Sequence, residues 1–449
     1  MSTICVLGLG YIGLPSASMF ATQGYDVVGV DVNPAVVEAL RSGKVHIQEP
    51  GLNMLVQSAT QSGKLRVQME PERAEAFIIA VPTPLSALSE DGIAPRPDLT
   101  YVRSATESIA PLLEEGNLVI LESTSPPGTT EHLVRPILEQ SGLRAGSDFS
   151  LAYCAERVLP GRILIELVTN DRIVGGIDRV SAQRAKDLYR SFVEGQVLKT
   201  DATTAEMVKL MENTYRDVNI ALANEFSRVA SQVGVDVNDA ISFANHHPRV
   251  NVLRPGPGVG GHCIAVDPWF IVDAAPDDTP LIRTAREIND AQPYRVADLV
   301  TAVVADLERP TIAALGMAYK ADVDDVRESP SIDVVRILRD RGYSVRAHDA
   351  LAASGPESVT FERDMVATLD GADVMVILTD HTVYRELDPH TAGPGAMAHK
   401  RIVDTRACLD RSRWQSAGFT VERLGVRGSA PGALQAAIAN GANGRAGGA

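Results

Sequence analysis

Residues 3–13 read Thr-Ile-Cys-Val-Leu-Gly-Leu-Gly-Tyr-Ile-Gly, and the way the apolar run meets the glycines decides the fold. Thr3–Leu7 has the length and apolar character of a buried strand, and it passes straight into Gly8-x-Gly10-x-x-Gly13. A helix-like segment continues to Gly24, and a second strand, Asp26–Val30, ends in Asp31. This is the spacing of a dinucleotide-binding β-α-β unit. Gly8 permits the tight turn, Gly10 lets backbone approach a pyrophosphate, and Gly13 lets helix pack closely on strand, with the phosphates at the helix N-terminus. Asp31 would accept hydrogen bonds from the adenosine ribose hydroxyls. A carboxylate there repels a 2′-phosphate, and Val32 and Asn33 supply no arginine to receive one, so the pattern favours NAD over NADP.

Outward from this unit, strand-like runs at Phe77–Val81, Leu118–Glu122 and Ser150–Cys154 alternate with helical stretches, which reads as a doubly wound parallel sheet. From Thr203 to Val233 the period changes. Met207, Leu210, Met211, Thr214, Val218, Ala221, Leu222 and Phe226 recur every three or four residues, the mark of one long helix. Past Pro310 the alternation resumes, with strand candidates Thr311–Leu315, Ser344–His348, Val374–Leu378 and Arg401–Val403. The α/β class therefore holds for two regions separated by a helical one. From about Gly428 the chain is rich in Gly and Ala without an apolar pattern, which predicts a disordered tail.

At 449 residues the chain is too long for one ordinary core. Its formal net charge of −15 argues against sequence-independent binding to nucleic acid or to an anionic membrane, which needs a basic face. No apolar run approaches the roughly 18 residues of a membrane span. Cys5, Cys154, Cys263 and Cys408 lie far apart, with no metal-ligand spacing, so no metal site is expected and a reducing cytoplasm fits best.

Two proline-bearing loops, Val81–Pro84 with Thr83 and Ser123–Gly128 with Thr124, fall where strands of the first sheet should end, the edge at which open α/β sheets bind ligands. The densest signal is the stretch from Pro255 to Pro268, a glycine-rich loop delivering Cys263 and then Asp267. A buried cysteine is ordinarily a small hydrophobe, as Cys5 in its strand should be. Cys263 instead follows His262 and precedes a helix start, both able to favour the nucleophilic thiolate. On the long helix, Lys209 and Asn213 are four residues apart and project from one face.

Several further stretches complete a resemblance: Gly8 to Pro15, Ile79 to Pro84, Leu121 to Gly128, Glu156-Arg-Val-Leu-Pro-Gly161, Asn219 to Glu225, Gly260-Gly-His-Cys263, Gly316 to Lys320 and Arg327-Glu-Ser-Pro330. In this order they resemble the UDP-glucose/GDP-mannose dehydrogenase family over about Ser2 to Arg423. The resemblance implies two Rossmann-like doubly wound domains joined by a central long-helix dimerisation region. It divides the chain into an NAD-binding domain at 1–200, a central helical domain with the cysteine loop at 201–300, a UDP-sugar domain at 301–427 and the tail at 428–449. It also implies a cytoplasmic homodimer that oxidises the C6 alcohol of a nucleotide sugar to a carboxylate in two hydride transfers. In that reading Cys263 is the nucleophile, Lys209 and Asn213 stabilise oxyanions, Asp267 assists proton transfer, and Thr124 with Glu156 holds the water that cleaves a thioester. Gly8, Gly10, Tyr11, Ile12, Gly13, Asp31, Thr83 and Thr124 fall to the cofactor. Arg157, Val158, Leu159, Lys209, Asn213, Gly260, Lys320, Arg327 and Arg406 fall to the UDP-sugar, with Arg249 reaching the neighbouring subunit's site. The loop before Lys320 lacks the Gly-x-Gly-x-x-Gly spacing, so a second dinucleotide is not expected there. Ile264, Val266 and Pro160 depart from the UDP-glucose pattern and resemble the branch acting on UDP-N-acetyl-D-mannosamine, with UDP-N-acetylglucosamine and UDP-glucose as alternatives. A one-step dehydrogenase needing no thiol, and a non-catalytic nucleotide-sugar-binding protein, stand as readings of other classes.

Overall fold

A computed structural model describes residues 2–88, 95–261, 263–356 and 359–426, so His262 and the tail from 428 lie outside the described residues. The chain forms two compact units. The first comprises Met1–Val218, Gly260–Glu287 and Asp322–Glu328; the second takes Asn219–Val259, Ile288–Ala321 and the chain from Ser329 onward. The long helix, Ala202–Val233, carries the chain from the first unit into the second.

In the first unit β1 (Thr3–Leu7), β2 (Asp26–Val30), β3 (Leu65–Gln68) and β4 (Ala76–Ile79) precede a small antiparallel hairpin of β5 (Leu85–Leu88) and β6 (Pro95–Pro97). Then come β7 (Leu118–Leu121), β8 (Ser150–Tyr153), β9 (Arg172–Gly176) and β10 (Val197–Asp201). The eight-stranded sheet has the order β10-β9-β8-β7-β4-β1-β2-β3. Every pair is parallel except β8 with β9, so the expected parallel sheet carries two reversed strands at one end. Side chains alternate as a buried strand requires. Ile4, Val6, Ile78 and Ile120 face one core layer, and Cys5, Leu7, Phe77, Ile79, Val119 and Leu121 face the other. Cys5 is fully buried, the structural role expected of it. Phe20 packs edge-on against Phe192 with ring centroids 5.0 Å apart. Truncating such a fully buried ring to alanine costs about 3–5 kcal/mol.

In the second unit β11 (Thr311–Leu315), β12 (Ser344–His348), β13 (Thr360–Glu362), β14 (Val374–Ile377), β15 (Arg401–Asp404) and β16 (Thr420–Arg423) form an all-parallel sheet of order β13-β12-β11-β14-β15-β16. Both sheets place the strand opening their region centrally and cross over to either side, the doubly wound arrangement.

The long helix is not buried all round. Leu210, Ala221, Ala223 and Ala230 are buried, whereas Met211, Tyr215, Leu222, Phe226, Val229 and Val233 are exposed. The apolar period read from sequence therefore covers more than one face.

Candidate active site

The glycine turn is built as its spacing requires. Gly8 has φ +91°, and its amide donates to the Val30 carbonyl at 2.8 Å, joining the turn to β2. A Cβ on Gly13 would collide with the Gly8 carbonyl, so only glycine lets the helix Gly13–Thr22 start this close to β1. Gly10 is different: a Cβ there would meet nothing within 4 Å. Among the described residues no side chain caps this helix N-terminus. The open face at Gly10 beside an uncapped helix start is a cradle that fits a diphosphate. Tyr11 and Ile12 lie between these glycines, and Ile12 takes the N-cap position. Asp31 stands at the end of β2. Its Oδ2 accepts from the Leu9 amide at 3.0 Å and its Oδ1 from Asn33 at 2.9 Å, so backbone holds the carboxylate beside the turn. The Thr83 hydroxyl donates to the Thr124 carbonyl at 2.8 Å, tying together the loops that follow β4 and β7. Ser123 adds to the tie, accepting from the Val81 amide at 3.0 Å.

Cys263 begins a turn that closes with the Asp267 amide donating to the Cys263 carbonyl at 2.8 Å; Asp267 then starts the helix Asp267–Ala274. One turn of chain thus brings thiol and carboxylate together. From the long helix, Asn213 Nδ2 donates to Asp267 Oδ2 at 2.5 Å, and the Lys209 charge, one turn earlier, acts on the same group. Asp267 is buried, and burial pushes its carboxyl up to about 6 against the opposing pull of Lys209 and Asn213. The Cys263 residue keeps solvent access, yet the protein crowded around its sulfur raises the thiol above the ordinary cysteine value. Asp267 pushes the same way, and Lys209 and Arg327 pull against it. Of the two thiolate-favouring neighbours expected from sequence, His262 lies outside the described residues, and around the sulfur burial outweighs the pull of Lys209 and Arg327. Gly260 is buried in the approach to this turn, and Gly261 has φ +87°.

Below the Thr124 loop, Glu156 is buried. It accepts from the Arg157 amide at 2.7 Å and pairs with the buried Arg172 guanidinium. Glu122 stands 3.5 Å from the same guanidinium, and Arg172, the cation of this cluster, lies in no motif. Arg157 turns its guanidinium to Glu212 of the long helix, with Nε 2.9 Å from Glu212 Oε2, and to the Asp171 carbonyl at 3.0 Å. The Leu159 amide donates to Glu166 at 2.9 Å, while Val158 packs against the core.

The basic residues assigned to the sugar nucleotide are divided between the two units. Arg327 belongs to the first unit, where its guanidinium lies 4.7 Å from the centre of the Tyr11 ring and forks onto Asp325 at 2.9 and 2.7 Å. Its place beside the cofactor turn was not legible from its motif. In the second unit Lys320 and Arg406 line one cavity of about 200 Å³ with Tyr319, Ser331, Thr379 and Asp380. Arg406 Nε donates to Asp380 Oδ1 at 3.0 Å. Arg249, also in the second unit, is exposed. Asp349 ends β12 as Asp31 ends β2, but its oxygens accept from the amides of Met317, Ala318, Leu351 and Ala352 and face His381 at 3.1 Å. Little of that carboxylate is left for a ribose.

Among the described residues no helix is long and apolar enough to cross a membrane, and no group of three His, Cys, Asp or Glu could hold a metal ion.

Comparison with known proteins matches residues 2–193 to the NAD binding domain, 203–291 to the central domain and 313–411 to the UDP binding domain of the UDP-glucose/GDP-mannose dehydrogenase family. A UDP-N-acetyl-D-mannosamine dehydrogenase of Methanococcus maripaludis is 49% identical over 431 residues, covering 94% of this chain and 96% of the relative. An NDP-N-acetyl-D-galactosaminuronic acid dehydrogenase of Ralstonia solanacearum is 48% identical, covering 92% and 97%. The solved UDP-D-ManNAc dehydrogenase from Pyrococcus horikoshii superposes with a TM-score of 0.86 at 44% identity, covering 94% of this chain and 99% of that one.

Proposed function

The chain belongs to the UDP-glucose/GDP-mannose dehydrogenase family, and from that footing we propose that it oxidises UDP-N-acetyl-D-mannosamine at C6 to the uronate, in two hydride transfers through a thioester on Cys263. The observation that carries this reading is the set of Cys263, Asp267, Lys209 and Asn213, joined by one turn of chain and one face of a helix. Gly8, Gly10, Tyr11, Ile12 and Gly13 would hold NAD, with Asp31 toward its ribose, and the bound cofactor would supply the hydride acceptor. Thr83, bonded to the Thr124 carbonyl, borders that site. Every other step belongs to the chain.

Lys209 and Asn213 stabilise the alkoxide that forms as the alcohol passes its proton to water before its hydride leaves. Asp267, with a carboxyl at about 6, is mostly ionised at neutral pH and takes the proton of the Cys263 thiol as sulfur attacks the aldehyde. The thiohemiacetal oxygen then sits at Lys209 and Asn213, and loss of the second hydride leaves the thioester. A hydrated aldehyde could also be oxidised, but sulfur holds the carbon in place and excludes release. Water held by Thr124 and Glu156 cleaves the acyl–sulfur bond.

Lys320 and Arg406 bind the UDP portion, while Gly260 and the Arg157–Leu159 segment border the sugar. Arg327 presents positive charge near the sulfur, supported by its pull on the thiol. The exposed Met211, Tyr215, Leu222, Phe226, Val229 and Val233 support a dimer along the long helix, from which Arg249 reaches the partner's substrate. A cytoplasmic setting keeps the four free cysteines reduced, which Cys263 requires. The product is a uronic-acid donor suited to polysaccharide assembly.

The test is an NADH assay across UDP-ManNAc, UDP-GlcNAc, UDP-glucose and GDP-mannose. Two NADH per UDP-ManNAc, and none after Cys263→Ala beyond the first oxidation, are expected; one NADH with a released aldehyde rejects the reading. The Ralstonia relative, nearly as similar, favours a galacto-configured NDP-N-acetylhexosamine as the second reading, and UDP-GalNAc belongs in the same assay.

A further inference from the structure

Two acids share one guanidinium beneath the Thr124 and Glu156 loops. Arg172, at the start of β9, is buried; it pairs with Glu156, lies 3.5 Å from Glu122 Oε1 and stacks 4.5 Å from the centre of the Tyr189 ring. Tyr189 Oη donates to that same Glu122 oxygen at 3.0 Å. Cys154, just past β8, is a further titratable group acting on Glu122, with Arg172 3.8 Å from its sulfur. If both acids were ionised, the cluster would bury a net negative charge, which is costly.

The acids are not equally provided for. Glu156 accepts from Arg172 and from the Arg157 amide, whereas Glu122 Oε2 is buried with no hydrogen-bond partner among the described residues. Glu122 is therefore the acid that its surroundings dispose to hold a proton. Burial pushes its carboxyl up to about 7, with Arg172 opposing.

We propose that Arg172 and Glu122 are positioning residues for thioester hydrolysis, Arg172 holding the Glu156 carboxylate in place and Glu122 deciding by its protonation how much of the guanidinium's charge Glu156 feels. The proposal rests on the reading of Glu156 as the base that activates water. In that step the water oxygen bonds to the acyl carbon, one water proton passes to Glu156, and the C–S electron pair returns to sulfur. No electrons are exchanged. With Glu122 neutral, Arg172 serves Glu156 alone and makes it a weak base. With Glu122 ionised, the guanidinium is shared and Glu156 becomes a stronger one.

Hydrolysis thus gains an ionisation near neutrality that belongs to Glu122. Glu122→Gln keeps the shape and the neutral state at every pH. The experiment is quenched single turnover of the full chain with NAD and UDP-ManNAc, following NADH for the hydride steps and intact mass for the thioester on Cys263. In the parent, hydrolysis should quicken by roughly tenfold from about pH 6 to about pH 8, since one ionisation changes a rate about tenfold per unit below its pKa. In Glu122→Gln that rise should vanish while NADH formation keeps its parent pH dependence. An unchanged hydrolysis profile, or hydride steps slowed as much as hydrolysis, overturns the proposal and leaves the cluster a structural crosslink. Glu156→Gln separates the premise: hydrolysis at the parent rate there overturns Glu156 as the base, and the tuning with it.

Discussion

Replacing Lys209 with methionine isolates the charge at the reacting carbon. Lys209 is half-buried, and methionine matches its stem, so packing is largely kept. Two effects follow. The first is loss of oxyanion stabilisation, typically about 3–4 kcal/mol for one donor in a preorganised site, or about two to three orders of magnitude in kcat. The second acts on Asp267. Its rise from 3.8 to about 6 is about two pKa units, or about 3 kcal/mol by which burial outweighs Lys209 and Asn213. Removing Lys209 removes part of the opposition, so the carboxyl rises further and less of it is ionised at neutral pH. The acid limb of activity, which requires ionised Asp267, should therefore move to higher pH. Steady-state NADH formation from UDP-ManNAc between about pH 5 and pH 9, with melting temperature as the folding control, measures both effects. A stable Lys209→Met protein within tenfold of the parent, with its acid limb unmoved, refutes the placement of this charge at the chemistry.

Gly10→Ala and Gly13→Ala should part company: the first meets open space and keeps its melting temperature while losing NAD affinity by calorimetry, whereas the second collides with the Gly8 carbonyl and destabilises the fold. Asp31→Ala removes the acceptor expected to bind ribose and one that holds the Leu9 and Asn33 amides, so the NAD KM should rise about tenfold or more with a stability loss of about 1–2 kcal/mol in urea. Glu122 and Glu206 are both pushed up to about 7 by burial. Between their ordinary 4.5 and that value the folded chain holds protons that the unfolded chain has lost, so stability should fall as pH rises through this window, and fall less in Glu122→Gln. On the proposed reading of Arg249 as a substrate ligand, Arg249→Ala should abolish turnover and leave the particle mass by light scattering unchanged; a lower mass with activity restored at high concentration would place it in an interface instead.

Much of the first unit was legible because its signals are local. The strand ending in Gly8, the glycine spacing and Asp31 lie within one continuous stretch, and the structure assembles them as that stretch dictates. The long helix was equally plain, since one period runs from end to end. β3, β9 and β10 escaped because their runs are not continuously apolar: Arg66 and Gln68 interrupt β3, Arg172 and two glycines bound β9, and Lys199, Thr200 and Asp201 fill β10; Arg172 belongs to no motif, and its partners lie just past β8, just past β7 and on a helix. The surroundings of the Cys263 thiol were only partly legible for a related reason. Sequence gives a residue's neighbours along the chain, but desolvation is the sum of everything that packs around the sulfur. Arg327 shows the same limit: its motif marks a functional charge, while the ring it covers, Tyr11, comes from the other end of the unit's sequence.

Rapid quenching of the full chain with NAD and UDP-ManNAc, followed by mass spectrometry of the peptide bearing Cys263, tests the covalent route directly. An adduct of the oxidised nucleotide sugar on Cys263, present during turnover and absent when substrate is spent, is the expected result. Uronate accumulating from a chain whose Cys263 never carries that mass, or from Cys263→Ala, contradicts it.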